Sequence, residues 1–317
     1  MTRAAMQIYR GAALAAYGFG DPHPFGTDRH DAFFNALTKT VPDSAYTLRP
    51  PARAGRHTLA LFHTDAYIER VRYLSQRGGG WLDDGDTPAF RGVYEAASNV
   101  VGASVAAADA IMRGDTRRAF VPIAGLHHAR RDGAAGFCVF NDCGVVIEHL
   151  RRNHGLTRVA YVDIDAHHGD GVFYGFESDP DVCFVDVHED GHHLYPGTGH
   201  RTETGSGEAV GTKLNLPLPP GADDEDFYAA WREAERFLDQ AQPEFIVLQC
   251  GADAIAGDPI THLALTPAAY RFAAERLALL ADRHAAGRLL ATGGGGYNRE
   301  NIGAGWSAVV AGLVGNS

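Results

Sequence analysis

Cysteine is scarce. There are four, at Cys138, Cys143, Cys183 and Cys250, and no two are spaced C-x-x-C. That argues against a zinc ribbon and a thioredoxin-type redox pair, and the apolar or Gly-rich settings of the four predict small buried residues. No stretch approaches the roughly 18 unbroken apolar residues of a membrane span, and the N-terminus has no apolar leader. The expectation is a cytoplasmic location without a membrane partner. Basic charge is also in short supply, with 28 Lys and Arg against 39 Asp and Glu and a net charge of −11. A general nucleic-acid surface needs clustered Lys and Arg, so no direct nucleic-acid binding is expected. A cationic substrate suits this balance. No internal repeat or low-complexity tract is present. With 317 residues, 45% hydrophobic and 21% charged, the chain fits an ordinary globule. Its chemistry-bearing residues lie far apart in sequence, which predicts one domain over residues 1–317.

The first 90 residues are rich in Gly, Pro and His and read as loops with short elements. Arg91 to Met112 is Ala-rich and reads as a long helix ended by Gly114. From Val159 onward, short apolar runs of the kind found in buried parallel strands recur: Val159 to Ile164, Val182 to Val187, Phe245 to Gln249 and Arg288 to Thr292. Helices fit between them. Asp223 to Gln240 opens with acidic residues that suit the helix dipole, and Thr266-Pro267 reads as an N-cap followed by Pro at the first helical position, opening a helix to about His284. This alternation predicts an α/β fold with a mostly parallel sheet. Ligands bind such sheets beyond the carboxyl ends of the strands, where Asp165, His167, Asp253 and Tyr297 fall.

The densest segment is Asp163-Ile164-Asp165-Ala166-His167-His168-Gly169-Asp170. In an extended stretch, residues two apart face the same side, so Asp165 and His167 could present an oxygen and an imidazole nitrogen to one metal. Asp253, after another strand, supplies a third ligand and leaves positions open for water and substrate, as in catalytic rather than structural sites. The competing reading is a hydrogen-bonded turn, but so many buried charges need partners. Adjacent His127 and His128 read either as a surface turn or, beside the metal segment, as an acid–base pair with Asp163 and Asp170 as the spare orienting acids. Gly293-Gly294-Gly295-Gly296 precedes Tyr297. Without a Gly-Lys-Ser/Thr ending it is no phosphate loop, and Tyr297 could donate its phenol to an oxyanion.

Together with Gly136-Phe137-Cys138, Asn141-Asp142, Tyr195-Pro196-Gly197-Thr198-Gly199 and Gly257-Asp258-Pro259, these segments resemble the histone-deacetylase-like zinc amidohydrolases. That group includes bacterial acetoin-utilisation proteins and acetylpolyamine amidohydrolases. The resemblance runs from about Asp21 to Trp306. It implies an arginase/deacetylase-like fold with an eight-stranded parallel sheet flanked by helices. It implies one Zn2+ per chain on Asp165, His167 and Asp253, and a structural K+; with two oxygens among the three ligands, Fe2+ or Co2+ could substitute. It implies that His128 is the general base and later the acid, oriented by Asp170, while His127 assists, paired with Asp163. Tyr297 would hold the carbonyl oxygen. Gly136, Phe137, Tyr195 and Ile260 would contact the substrate, Asp86 would grip a peptide's backbone amides, and Arg29 would lie beside an acetate-release cavity. Three departures stand out. Gly125-Leu126 replaces the Pro-Gly that often precedes the His pair. Asp186 stands where many relatives have Ser beside the potassium ion. Ile260 stands where eukaryotic polyamine deacetylases carry Glu.

The implied reaction is hydrolysis of an acetamide. The substrate is an acetylated lysine in a protein or peptide, which Asp86 supports, or an acetylated polyamine, for which Asp21 and Asp28 are the local support. A two-manganese ureohydrolase would want a further Asp where Ile255 stands, and a catalytically dead binding module would not need the full Asp, His and Tyr set. The sequence leaves open whether the chain forms an oligomer.

Overall fold

The structure is a computed structural model and describes residues 5–315. Eight strands form one sheet: β1 (Met6–Tyr9), β2 (Tyr46–Arg49), β3 (Arg118–Val121), β4 (Val159–Asp163), β5 (Val182–Glu189), β6 (Lys213–Leu218), β7 (Phe245–Gln249) and β8 (Leu289–Thr292). Every pairing is parallel, in the order β2-β1-β3-β8-β7-β4-β5-β6. The central strands β4 and β7 are buried at every position, as expected when helices cover both faces of a parallel sheet.

The helices before β3 are α1 (Ala12–Ala15), α2 (Arg29–Thr40), α3 (Arg56–Leu59), α4 (Asp65–Arg77) and α5 (Val93–Arg113). After β3 come α6 (Asp142–His154), α7 (Asp170–Gly175), α8 (Asp224–Ala241), α9 (Pro267–His284) and α10 (Arg299–Gly315). They flank the sheet in two groups: α5 packs with α4 and α6, while α10 joins α2 to α9 and α9 touches α8. The caps explain several boundaries. Asp223 and Asp226 make a reciprocal capping box at the start of α8, and Thr266 accepts from Ala268 N ahead of Pro267.

The four expected strands and the two expected later helices are present, and Gly114 ends α5 in the left-handed conformation. All four cysteines are buried and free. The reading of the first 90 residues as loops needs correction. α2 buries Arg29, His30, Phe33, Phe34 and Leu37, and α4 buries Tyr67, Ile68, Val71 and Ser75; each set lies along one helix face. Gly, Pro and His cluster ahead of these helices and mask their periodicity.

Because the sheet is parallel, the carboxyl ends of its strands share one edge. The loops that leave neighbouring strands β3, β8, β7 and β4 meet there.

Candidate active site

The His127-His128 loop follows β3 and is held from α6. Asp142 Oδ1 accepts the N–H groups of Gly125 and Leu126 at 2.9 and 2.8 Å, and Ser104 donates to its other oxygen. Asn141 caps α6 through Gly144 N, and its amide nitrogen donates to the carbonyls of His127 and Ala129. Both imidazoles are buried. His127 Nδ1 lies 2.8 Å from Asp163 Oδ2, and His128 Nδ1 lies 2.6 Å from Asp170 Oδ1. The two Nε2 atoms face each other at 3.1 Å. The two spare acids thus each meet one imidazole. Burial, with neighbouring His127 adding to it, pulls the His128 pKa down to about 4 even though Asp170 opposes the shift.

Past β4 the backbone bends rather than continuing as strand, so alternation is not what brings Asp165 and His167 together. Asp165 Oδ1 instead accepts the His167 backbone N–H at 3.0 Å and lies 3.0 Å from His167 Nδ1. Asp253 comes from the turn after β7, and its Oδ2 lies 3.2 Å from the same nitrogen. Asp165, His167 and Asp253 are all buried and offer ligand atoms within 4.8 Å of one another. Asp165 Oδ2 accepts from Gly295 N and from the Gln249 amide, each at 2.8 Å, and Asp253 Oδ1 accepts from Ala166 N. Asp253 Oδ2 is buried without a hydrogen-bond partner. Burial, with Asp165 adding its charge, pushes the Asp253 carboxyl up to about 7. An unpartnered buried oxygen in a three-ligand cradle fits a divalent cation.

The glycine run lets the chain lie against this cradle. A Cβ at Gly295 would stand 2.1 Å from Asp253 Oδ2, so no other residue fits there. Tyr297 follows, its backbone N–H held by Asp258 Oδ2 at 2.8 Å, and burial raises its phenol well above the usual range. Phe137 adopts φ 67°, a left-handed backbone secured by Thr87 Oγ1 on its N–H and the Tyr17 hydroxyl on its carbonyl. Its ring meets Tyr297 edge-on at 5.8 Å, while Tyr195 meets His128 at 5.1 Å. Gly136, with φ 52°, lies against the His128 ring. Above them is a cavity of about 580 Å³, lined by Asp83, Asp86, Arg130, Asp170, Tyr174 and Tyr195 among others. Asp83 shapes its rim by accepting three backbone N–H groups, from Gly85, Asp86 and Thr87.

Arg29, the first residue of α2, is fully buried. It donates to the carbonyls of Gly296 and Gly294 at 2.9 and 2.6 Å, while its Nη1 has no partner. Burial lowers its pKa to about 10. Ile260 is half-buried and stands outside the set of rim-cavity residues. Asp28 is not free for a cationic substrate, because it forms a two-pronged ion pair with Arg299. Both Asp186 oxygens are engaged, one by Gly169 N and the other by His188 Nδ1. Leu126 is buried. Sequence reasoning missed Gln249, Tyr17, Thr87 and Ser104. Gln249 carried a signal, a polar residue ending an apolar strand next to Gly251-Ala252-Asp253.

The sequence model of the Histone deacetylase domain matches residues 23–313. The chain is 38% identical over 290 residues to the acetoin utilization protein AcuC of Bacillus subtilis, covering 89% of this chain and 75% of that one. It is 36% identical over 255 residues to a probable deacetylase of Archaeoglobus fulgidus, covering 80% and 70%. The structure matches the crystal structure of an HDA15 HD domain with a TM-score of 0.89 and 27% identity, over 99% of this chain and 90% of that one. With this family match across nearly its whole length, the chain belongs to the histone deacetylase domain family and is a deacetylase.

Proposed function

We propose that this deacetylase hydrolyses the acetamide of N-acetylated lysine side chains in proteins or peptides. The carrying observation is Asp86, an exposed carboxylate on a rim loop braced by Asp83, over a cavity that reaches Asp170 and Tyr195. A side chain entering there reaches Asp170 and Tyr195, which contact His128, and Asp86, whose Oδ1 also takes the Thr87 hydroxyl, would accept backbone N–H groups from the rest of the peptide.

Asp165, His167 and Asp253 would hold one divalent ion, Zn2+ by family habit. When bound it supplies a Lewis acid that polarises the scissile carbonyl and acidifies water. Two oxygens and one nitrogen also suit Fe2+ or Co2+. His128, with its Nδ1 proton donated to Asp170, keeps the Nε2 lone pair turned inward. That nitrogen takes the proton of the attacking water and then delivers it to the departing amine. His127, held by Asp163, faces His128 Nε2 at 3.1 Å and assists it from there. Tyr297 donates its phenolic O–H to the developing oxyanion. Water adds to the carbonyl carbon, the C–N bond breaks, and acetate and the free amine result. Arg29 Nη1 is available to the acetate carboxylate. Both Asp186 oxygens are already engaged, which leaves it a poor ligand for a structural K+.

A second reading, an acetylated polyamine substrate, has one observation in its favour: Asp83, Asp84, Asp86 and Asp170 face the rim cavity against the single cation Arg130. Side-by-side kcat/KM values on an acetyl-lysine peptide, acetylputrescine and acetylspermidine decide between them. A preference for the small amines would overturn the first reading.

A further inference from the structure

Away from the strand ends, α5 and α6 bring together a second group of metal-ligating side chains. Asp109 of α5 faces His149 and His154 of α6, and the three offer ligand atoms within 4.8 Å of one another. Both imidazoles turn Nε2 toward the same atom, Asp109 Oδ1, each at 2.7 Å. Two N–H groups converging on one carboxylate oxygen at that distance is the arrangement that a single cation replaces when both protons leave. His149 is held further: its Nδ1 lies 2.8 Å from the Asn153 amide. With the amide turned so that its oxygen accepts from Nδ1–H, Asn153 fixes the tautomer that leaves Nε2 free to bind metal. The group stands on two helices rather than on loops. It is also partly open, with side-chain exposure of 31% for Asp109, 10% for His149 and 23% for His154.

We propose that Asp109, His149 and His154 form a second metal site for a borderline divalent ion of the Zn2+, Co2+ or Ni2+ kind, clamping α5 to α6. Two imidazoles and one carboxylate select such ions over Mg2+ or Ca2+, which want oxygen ligands. Solvent completes the coordination on the open side. The role is structural. α6 anchors the His127-His128 loop through Asn141 and Asp142 at its N-terminal end. The clamp sits at the other end, about 18 Å along a helix of 13 residues. It therefore adds to the stability of the α5–α6 pair, remote from the active-site loop and from substrate.

The test is Zn2+ binding by the intact chain at neutral pH. Bound metal is measured after equilibrium dialysis, and Tm is followed across the titration. Wild type should bind one more equivalent than His154→Ala, and its Tm should rise as that equivalent loads. His154→Ala should lack the rise and keep wild-type kcat/KM. Asp109→Asn serves as an independent variant should His154→Ala fold poorly. The readout is the difference between wild type and variant, so it does not depend on what Asp165, His167 and Asp253 hold. Equal metal content in wild type and both variants would overturn the proposal, as would loss of deacetylation in a folded His154→Ala protein.

Discussion

Gly136→Ala should cripple deacetylation through one methyl group. A Cβ at Gly136 would stand 2.4 Å from His128 Cδ2 and 2.8 Å from its Cγ, whereas ordinary contact begins at 3.4 Å. The ring must therefore withdraw by about 1.0 Å, the difference between 3.4 and 2.4. It has little room to do so: Asp170 grips Nδ1 at 2.6 Å, His127 Nε2 lies 3.1 Å from its Nε2, and the Tyr195 ring stands 5.1 Å away edge-on. A 1 Å misplacement of a catalytic group costs on the order of 10²-fold in rate, about 2.7 kcal/mol of barrier. Alanine at φ 52° adds roughly 1–2 kcal/mol of backbone strain, so Tm should fall while the fold survives. The assay is kcat/KM on an acetyl-lysine peptide, with circular dichroism and metal content as controls. A folded, metal-loaded Gly136→Ala enzyme with wild-type kcat/KM would refute both the contact argument and the role of His128.

Tyr297→Phe keeps the ring and removes the oxyanion donor; kcat/KM should drop by roughly 10²-fold or more, and wild-type kinetics would remove the phenol from the mechanism. His128→Ala should lose turnover, by on the order of 10²–10⁴-fold or beyond, without losing the metal, and His127→Ala should be damaged less; the reverse order would exchange their roles. Chelation should abolish activity, and Zn2+, Fe2+ or Co2+ should restore it to wild type but not to an Asp253→Asn variant. Burial pulls His63 from 6.5 down to about 3, so the folded chain resists a proton that the unfolded chain accepts. Stability should be unaffected by this group above pH 7 and should fall as pH drops from about 6.5 towards 3, by about 1.4 kcal/mol per unit, with a shallower decline for His63→Gln. Parallel Tm-against-pH curves for the two proteins would contradict it.

The strands legible in the sequence are those buried on both faces. β4, β5, β7 and β8 each open with an apolar run, Val-Ala-Tyr-Val, Val-Cys-Phe-Val, Phe-Ile-Val-Leu and Leu-Leu-Ala, the pattern that a covered parallel sheet imposes. The strands that escaped detection are short, mixed or at an edge. β3 opens with Arg118, whose guanidinium is buried against the carbonyl of Leu313 and the carboxylate of Asp282. β6 opens with Lys213, whose ammonium donates to the carbonyls of Asp179 and Val182. A charge at a strand start reads as loop until its distant partners are known. α4 is a different case: Thr64 accepts from Tyr67 N at its start and Gly78 takes the left-handed conformation at its end, both signals visible in the sequence and outweighed by the surrounding glycines and prolines.

The site divides along the same line. The residues proposed to carry the chemistry announce themselves, because a buried cluster of Asp and His has few other uses. Residues that hold them in position do not. Gln249 joins Asp165 to the Gly125 carbonyl, 124 residues away in sequence; the polar end of β7 marks the residue but not these distant partners. Arg29 carries a charge into the core from the start of an amphipathic helix, and only the family resemblance singles it out in the sequence. Asp28, one residue earlier, looked available to a cationic substrate and is neutralised by Arg299. Each of these depends on a pairing between distant parts of the chain, and the topology supplies it by bringing the ends of β3, β8, β7 and β4 side by side. Substitutions at Gln249 and Asp142 should therefore act on the geometry of His127 and Asp165 rather than on the chemistry itself, and the conservative Asp142→Asn should retain more activity than Asp142→Ala because one amide oxygen can still accept from Gly125 N and Leu126 N.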